Sequence, residues 1–310
     1  MTVVAFYSSV DAPEPWREAL AAADPGIELR CWPDWGDRAG IRYALAWRPP
    51  PGLLAELPAL EVVFSLGAGV DHLFGAGVLP EGVTVVRMVD PELTRGMSEF
   101  IVLNVLWHHR RMPRYVEQQQ RECWQELPQV PAAARRVGVM GAGELGRAAL
   151  GALAPFGFQL ASWSRTRKRQ AGVRSCAGMD ELRDFLACCD ILVLLLPSTD
   201  ATRRMLNRER LAWLPRGAAL VNAGRGDLVV EDDLLALLDS GHIEAASLDV
   251  FEREPLAAGH PLWRHPRVLV TPHVASVTLP ASAATAIADG IRRHGAGEPL
   301  RHVVMTERGY

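Results

Sequence analysis

The sequence lacks any long hydrophobic run. Its longest, Ile191-Leu192-Val193-Leu194-Leu195-Leu196, stops at Pro197. A helix needs about 20 apolar residues to span a bilayer, so this run reads as a buried strand. Strong charge of either sign is also missing. The formal net charge is −3 over 310 residues, which argues against the basic face of a nucleic-acid binder. Cysteine is sparse: Cys31, Cys123, Cys176, Cys188 and Cys189, with no Cys-x-x-Cys spacing. The opening Met1-Thr2-Val3-Val4-Ala5-Phe6-Tyr7 has no basic signal-peptide region. Reduced thiols and a cytoplasmic location are the expectation. No His or Cys cluster has metal-ligand spacing, and no internal repeat or low-complexity tract is visible, so neither a metal site nor a solenoid is expected.

Apolar residues make up 49% of the chain, enough for sizeable cores. Short apolar runs alternate with helical patterns. Strands are expected over 2–7, 27–32, 43–47, 62–66 and 83–88, then over 136–140, 159–163, 191–196, 218–222, 245–250 and 268–270. Helices are expected over 13–23, 97–120, 179–187, 208–213, 231–240 and 280–294. Strand–helix alternation predicts α/β architecture with parallel sheets. The last helix can close the sheet begun at residue 1. The expected domains are therefore 1–97 with 275–310, and 98–274 between them.

The second series opens on Val137-Gly138-Val139-Met140-Gly141-Ala142-Gly143-Glu144-Leu145-Gly146. This is a strand, a Gly-x-Gly-x-x-Gly turn and a helix start. Gly141 permits the turn, Gly143 lets a pyrophosphate approach, and Gly146 lets helix and strand pack. Glu144 and Leu145 open a helix whose free N–H groups face the phosphates. The next strand ends in Trp163-Ser164-Arg165-Thr166-Arg167-Lys168. An NAD site places an acid near this point for the ribose hydroxyls. Here Ser164, Arg165, Thr166 and Lys168 would instead welcome a 2′-phosphate, so NADP(H) is expected over NAD(H).

Three more segments follow strands of the same series. They are Asn222-Ala223-Gly224-Arg225-Gly226, Asp249-Val250-Phe251 with Glu254-Pro255, and Thr271-Pro272-His273. Arg225 offers a planar cation for a carboxylate. His273 can exchange a proton near neutral pH, and Glu254 can fix its tautomer. Together these are the parts for reducing a 2-oxo acid. Trp47 ends a strand beside Pro49-Pro50-Pro51 and is either a substrate-pocket wall or core packing.

In register, these motifs resemble the D-isomer-specific 2-hydroxyacid dehydrogenases across nearly the whole chain. Ser65-Leu66-Gly67-Ala68-Gly69-Val70-Asp71, Asp90-Pro91-Glu92-Leu93, Gly96-Met97-Ser98-Glu99 and the basic loop are most similar to the bacterial glyoxylate/hydroxypyruvate reductases of the A type. The resemblance implies two Rossmann-like, doubly wound parallel-sheet domains. The cofactor domain is inserted into a discontinuous substrate domain, and the usual assembly is a homodimer. It maps the catalytic Arg, Glu and His onto Arg225, Glu254 and His273. Pro197 and Ala223 then line the cofactor groove, and Asp249 orients the nicotinamide amide, although a strand-end cap suits Asp249 equally. Ala68 and Gly69 would offer backbone N–H groups to the substrate carboxylate. The expected reaction is NADPH-dependent reduction of glyoxylate or hydroxypyruvate. A bulkier 2-oxo acid such as phenylpyruvate, or a non-catalytic dinucleotide-responsive role, are the alternatives.

Overall fold

A computed structural model of the chain describes residues 1–305. It contains two compact units, Met1–Leu93 with the chain from Val277 onward, and Thr94–Ser276.

The first unit holds β1 (Thr2–Ser8), α1 (Pro13–Ala23), β2 (Ile27–Cys31), β3 (Tyr43–Trp47), β4 (Val62–Ser65) and β5 (Thr84–Val86). The strands pair in parallel in the order β2-β1-β3-β4-β5. β3 and β4 are the most continuously apolar and almost wholly buried, as parallel strands covered on both faces must be. In α1, Trp16 and Leu20 stand one turn apart and bury the inner face. α2 (Pro91–His109) begins at the unit boundary.

The second unit continues with α3 (Met112–Gln120), β6 (Arg136–Met140), α4 (Glu144–Leu153), β7 (Gln159–Ser164), β8 (Val173–Ala177), α5 (Leu182–Leu186) and β9 (Ile191–Leu194). It ends with α6 (Arg208–Leu211), β10 (Ala218–Asn222), α7 (Glu231–Asp239), β11 (Ile243–Leu248) and β12 (Val268–Val270). Seven parallel strands run in the order β12-β11-β10-β9-β6-β7-β8. The order reverses between β6 and β9, and an open parallel sheet binds ligands at such a switch point. One core layer lies beneath Met140, Phe185, Leu192 and Leu220, and another around Val139, Leu150, Val193 and Val221. α8 (Pro280–Gly295) belongs to the first unit. It approaches β4 closely enough that a Cβ on Gly290 would lie 2.6 Å from the Phe64 ring.

The structure departs from the sequence-based expectation at several elements; α2 starts at Pro91 and β11 at Ile243. The single helix expected over 97–120 is two. Arg111 adopts φ 59° and Pro113 opens α3; proline removes a donor and disfavours helical backbone just before it. β8 was not anticipated, because Val-Arg-Ser-Cys-Ala is a polar edge strand that buries only Cys176. β9 ends at Leu194 rather than Leu196. Among the described residues, no helix is long and apolar enough to cross a membrane.

Candidate active site

In the seven-stranded sheet every strand runs the same way, so the segments after β6, β7, β9, β10, β11 and β12 share one edge. The glycine turn follows β6 at the switch point. Gly141 takes φ +108°, and a Cβ there would lie 2.5 Å from the Leu195 carbonyl oxygen. A Cβ on Gly146 would lie 1.8 Å from the Gly141 oxygen, so the helix sits directly on the turn. Gly143 differs, since its Cβ direction meets nothing within 4 Å. It is also the N-cap of α4, with no side chain capping the helix. Open space above uncapped N–H groups is what a pyrophosphate requires, so these residues fit a dinucleotide. Glu144 is exposed and Leu145 half-buried at this opening, while Ala223 is buried and can reach a ligand only through its backbone. Pro197 is half-buried, and its carbonyl accepts the Thr202 hydroxyl at 2.6 Å.

Beyond β7, Arg165, Thr166, Arg167 and Lys168 are all exposed. The structure sorts these cations. Arg167 donates to the Ser175 carbonyl and to Glu181. Glu181 in turn accepts the Ala177 N–H, and that bond with Arg167 holds its carboxyl below the usual value. Arg167 is therefore part of the loop's frame. Ser164 donates its hydroxyl to the Thr166 carbonyl at 2.8 Å, shaping the turn that presents Arg165 and Lys168. Lys168 is also the only lysine in the chain, a singularity the motif reading passed over.

The three candidate reacting side chains follow three neighbouring strands. Arg225 follows β10 on a turn made by Asn222, whose side-chain amide donates to the Arg225 carbonyl at 2.9 Å and accepts the Gly224 N–H at 3.2 Å. An Asx turn of this kind fixes the backbone that aims the arginine. Gly226 then packs against the segment after β11, where a Cβ would lie 1.8 Å from the Phe251 carbonyl carbon. Glu254 Oε1 accepts the Phe251 N–H at 3.2 Å, and Oε2 lies 2.8 Å from His273 Nδ1. The His273 and Glu254 side chains are 31% and 17% exposed, which leaves the far ring nitrogen accessible.

His273 has φ +56°, a left-handed conformation that costs a residue with a Cβ about 1–2 kcal/mol. Asp249 holds it there. Its carbonyl accepts the His273 N–H at 2.8 Å. Its carboxylate accepts the Thr271 hydroxyl at 2.6 Å and the Val274 and Ala275 N–H groups at 2.9 Å each. At 1% exposure, this geometry is that of a strand-end cap. Asn222 and Thr271, to which the sequence assigned no role, are thus the residues that set Arg225 and the His273 turn. A short polar side chain at a strand end was the available signal.

The first unit carries its candidates at the ends of β3 and β4. Trp47 is half-buried, its ring 4.3 Å from that of His72. Its indole lies on Gly67, where a Cβ would come within 2.5 Å of the ring. The fully buried Ser65 accepts the Gly67 N–H at 3.3 Å and donates to the Gly67 carbonyl at 3.0 Å. Among the described residues, the N–H groups of Ala68 and Gly69 meet no protein acceptor.

Residues 102–275 match the family model of the D-isomer specific 2-hydroxyacid dehydrogenase NAD binding domain. A D-isomer specific 2-hydroxyacid dehydrogenase from Xanthobacter autotrophicus Py2, crystallised with NADPH and MES, is 46% identical. It superposes with a TM-score of 0.96 over 100% of this chain and 99% of its own. The NADPH-dependent glyoxylate/hydroxypyruvate reductase of Sinorhizobium meliloti, crystallised with NADP and sulfate, is 40% identical with a TM-score of 0.94 over 100% of both chains. A probable 2-hydroxyacid dehydrogenase from Rhizobium etli CFN 42 is 38% identical with a TM-score of 0.90, over 100% of this chain and 99% of its own. With its two parallel-sheet α/β units and its NAD-binding domain, the chain belongs to the D-isomer-specific 2-hydroxyacid dehydrogenases, which are NAD(P)-dependent oxidoreductases.

Proposed function

We propose that the chain reduces a small 2-oxo acid, glyoxylate or hydroxypyruvate, to the 2-hydroxy acid with NADPH. The observation that carries the reaction is the 2.8 Å contact between His273 Nδ1 and Glu254 beside Arg225, on consecutive strand ends. The similarity to the Sinorhizobium reductase supports the substrate class, and the exposed Arg165 and Lys168 support the 2′-phosphate. In this reading Met1–Leu93 with the chain from Val277 receives the substrate, and Thr94–Ser276 receives the cofactor. A homodimer in the cytoplasm is part of the same reading, by family resemblance.

When bound, NADPH supplies the hydride to the carbonyl carbon. Arg225 holds the substrate carboxylate as a planar fork and stabilises negative charge growing on the carbonyl oxygen. In the first unit, the Ala68 and Gly69 N–H groups offer a backbone nest suited to a carboxylate. Glu254 accepts from His273 Nδ1, so the proton to be transferred sits on Nε2. His273 donates that proton to the substrate's carbonyl oxygen, which becomes the hydroxyl. Asp249 keeps the His273 backbone in place. Trp47 forms an apolar wall that limits the substrate side chain.

The test is NADPH oxidation against glyoxylate, hydroxypyruvate, pyruvate and phenylpyruvate. The expected order puts the two small acids first by at least tenfold in kcat/KM. A preference for phenylpyruvate would overturn the substrate assignment, and a preference for NADH would overturn the cofactor assignment.

A further inference from the structure

The sheet of Thr94–Ser276 has a second edge, where the strands begin. Arg135 immediately precedes β6, Asp190 precedes β9 and Arg267 precedes β12. With the end of α2 and the start of α3, these strand starts frame a small, open cleft. It lies on the edge opposite the glycine turn, Arg225 and His273, and belongs to neither.

The cleft's charges do not balance. Arg111, Arg114, Arg135 and Arg267 face Asp190 and Glu244. Both acids are already engaged. Arg136 donates to Asp190 at 2.8 and 3.2 Å from its guanidinium and at 2.8 Å from its backbone N–H. Arg114 lies 3.1 Å from Glu244. Arg267 donates to the Leu238 carbonyl. Arg111 and Arg135 remain, each with a buried Nε that has no acceptor among the described residues.

A third buried polar group lines the cleft. His108 is 8% exposed, and its buried Nδ1 has no partner among the described residues. Its Nε2 lies 2.9 Å from Ser247 Oγ. Burial lowers this imidazole to about 4, so the ring is neutral at pH 7. The ring's single proton sits on Nδ1 where Ser247 donates to Nε2, and on Nε2 where Ser247 accepts. The neighbouring His109 is lowered by burial and then by Arg135 and Arg110, which reports a positive field. Buried donors without acceptors are rare in folded proteins. Two guanidinium groups lining one cleft, whose carboxylates are already engaged, match the oxygens of a dianion.

We propose that this cleft is a second binding site, for a small dianionic oxyanion held by Arg111 and Arg135. Inorganic phosphate and a short dicarboxylate share that chemistry. A ligand bound only by the folded chain raises its melting temperature by mass action.

The test is thermal unfolding of the full chain in chloride buffer at constant ionic strength, titrated separately with phosphate and malonate. NADP⁺ is kept saturating, so that phosphate acting at the glycine turn is excluded. A saturable rise of about 2–4 °C is expected with at least one anion, and whichever is effective identifies the source. The rise should vanish in Arg111→Gln/Arg135→Gln and persist in Arg225→Gln. An equal rise in the double variant, its loss in Arg225→Gln, or no rise in the wild type each overturns the proposal. Sedimentation velocity adds a further check. A changed association state in the double variant, with no anion response in either protein, means that the arginines meet a second copy, and again overturns it. Should the double variant not fold, calorimetric titration of the wild type and Arg135→Lys decides. Affinity about tenfold weaker in Arg135→Lys, which keeps charge but loses the fork, supports the site; equal affinities or no binding heat reject it.

Discussion

Asn222 and Asp249 are joined by one backbone hydrogen bond, the Asp249 N–H donating to the Asn222 carbonyl at 3.0 Å. Through that bond the turn that presents Arg225 and the turn that presents His273 share a frame. Asn222 grips the Arg225 carbonyl and Asp249 grips the His273 backbone. The proposed carboxylate clamp and proton donor are therefore linked through buried backbone.

Removing the Asp249 carboxylate strands the Thr271 hydroxyl and two N–H groups, each worth about 1–3 kcal/mol when left unpaired. Asp249→Ala is expected to lower the melting temperature and to reduce kcat more than it raises KM. Asp249→Asn, which keeps one acceptor oxygen, should recover part of both. Turnover unchanged in a folded Asp249→Ala protein would show that the His273 turn holds itself.

His273→Ala is expected to reduce kcat by about two to four powers of ten, the scale of a lost general acid, with NADPH affinity retained by fluorescence titration. Arg225→Lys keeps a cation but loses the fork. It should raise KM for the 2-oxo acid as well as lowering kcat. Full efficiency in either variant would remove that residue from the mechanism.

Arg165→Gln with Lys168→Gln should raise KM for NADPH far more than KM for NADH, because NADH lacks the 2′-phosphate these cations would bind. As Lys168 is the sole lysine, acetylation under amine-selective conditions modifies only it and the N-terminus. NADP⁺ is expected to protect Lys168 in a mass-spectrometric time course. Equal labelling with and without NADP⁺ would place Lys168 away from the cofactor.

Two glycines of one motif should fail differently when replaced. Gly143→Ala introduces a methyl group into open space, so stability should stay within about 0.5 kcal/mol while KM for NADPH rises. Gly146→Ala meets the Gly141 oxygen at 1.8 Å. It should destabilise the fold by about 1–3 kcal/mol or more. Denaturant titration beside cofactor kinetics separates the two.

Burial of His108 predicts an acid limb in the stability profile. Its folded value, about 4, lies below the ordinary 6.5, so between these the unfolded chain binds a proton that the folded chain does not. Stability therefore falls as pH drops from 6.5 toward 4, by about 3 kcal/mol in all. In phosphate-free buffer His108→Gln should lose that part of the slope, and an unchanged slope would assign it elsewhere.

The strand–helix alternation, the parallel sheets and the candidate reacting side chains were legible because each leaves a local signature. Gly141, Gly143 and Gly146 sit between an apolar strand and a helix, and Arg225, Glu254 and His273 follow strands. What escaped depends on distant partners. β8 looks polar because an edge strand exposes most of itself. The framing role of Arg167 depends on Glu181, on a separate element. The His273 turn contains no glycine to announce φ +56°, because Asp249 imposes that conformation from another strand.

β12 is the shortest strand of its sheet and lies at the edge, paired only through Ala246, Ser247 and Leu248 of β11. Yet the segment it leads into carries His273. The proposed proton donor is thus mounted on the strand with the fewest ladder partners, next to the most fully buried acid of the candidate site. A refolding chain can complete the central strands, and their circular dichroism, before it can react. Recovery of activity then becomes a clock for the docking of this last strand, and local fraying at one sheet edge suffices to silence an enzyme whose core remains intact.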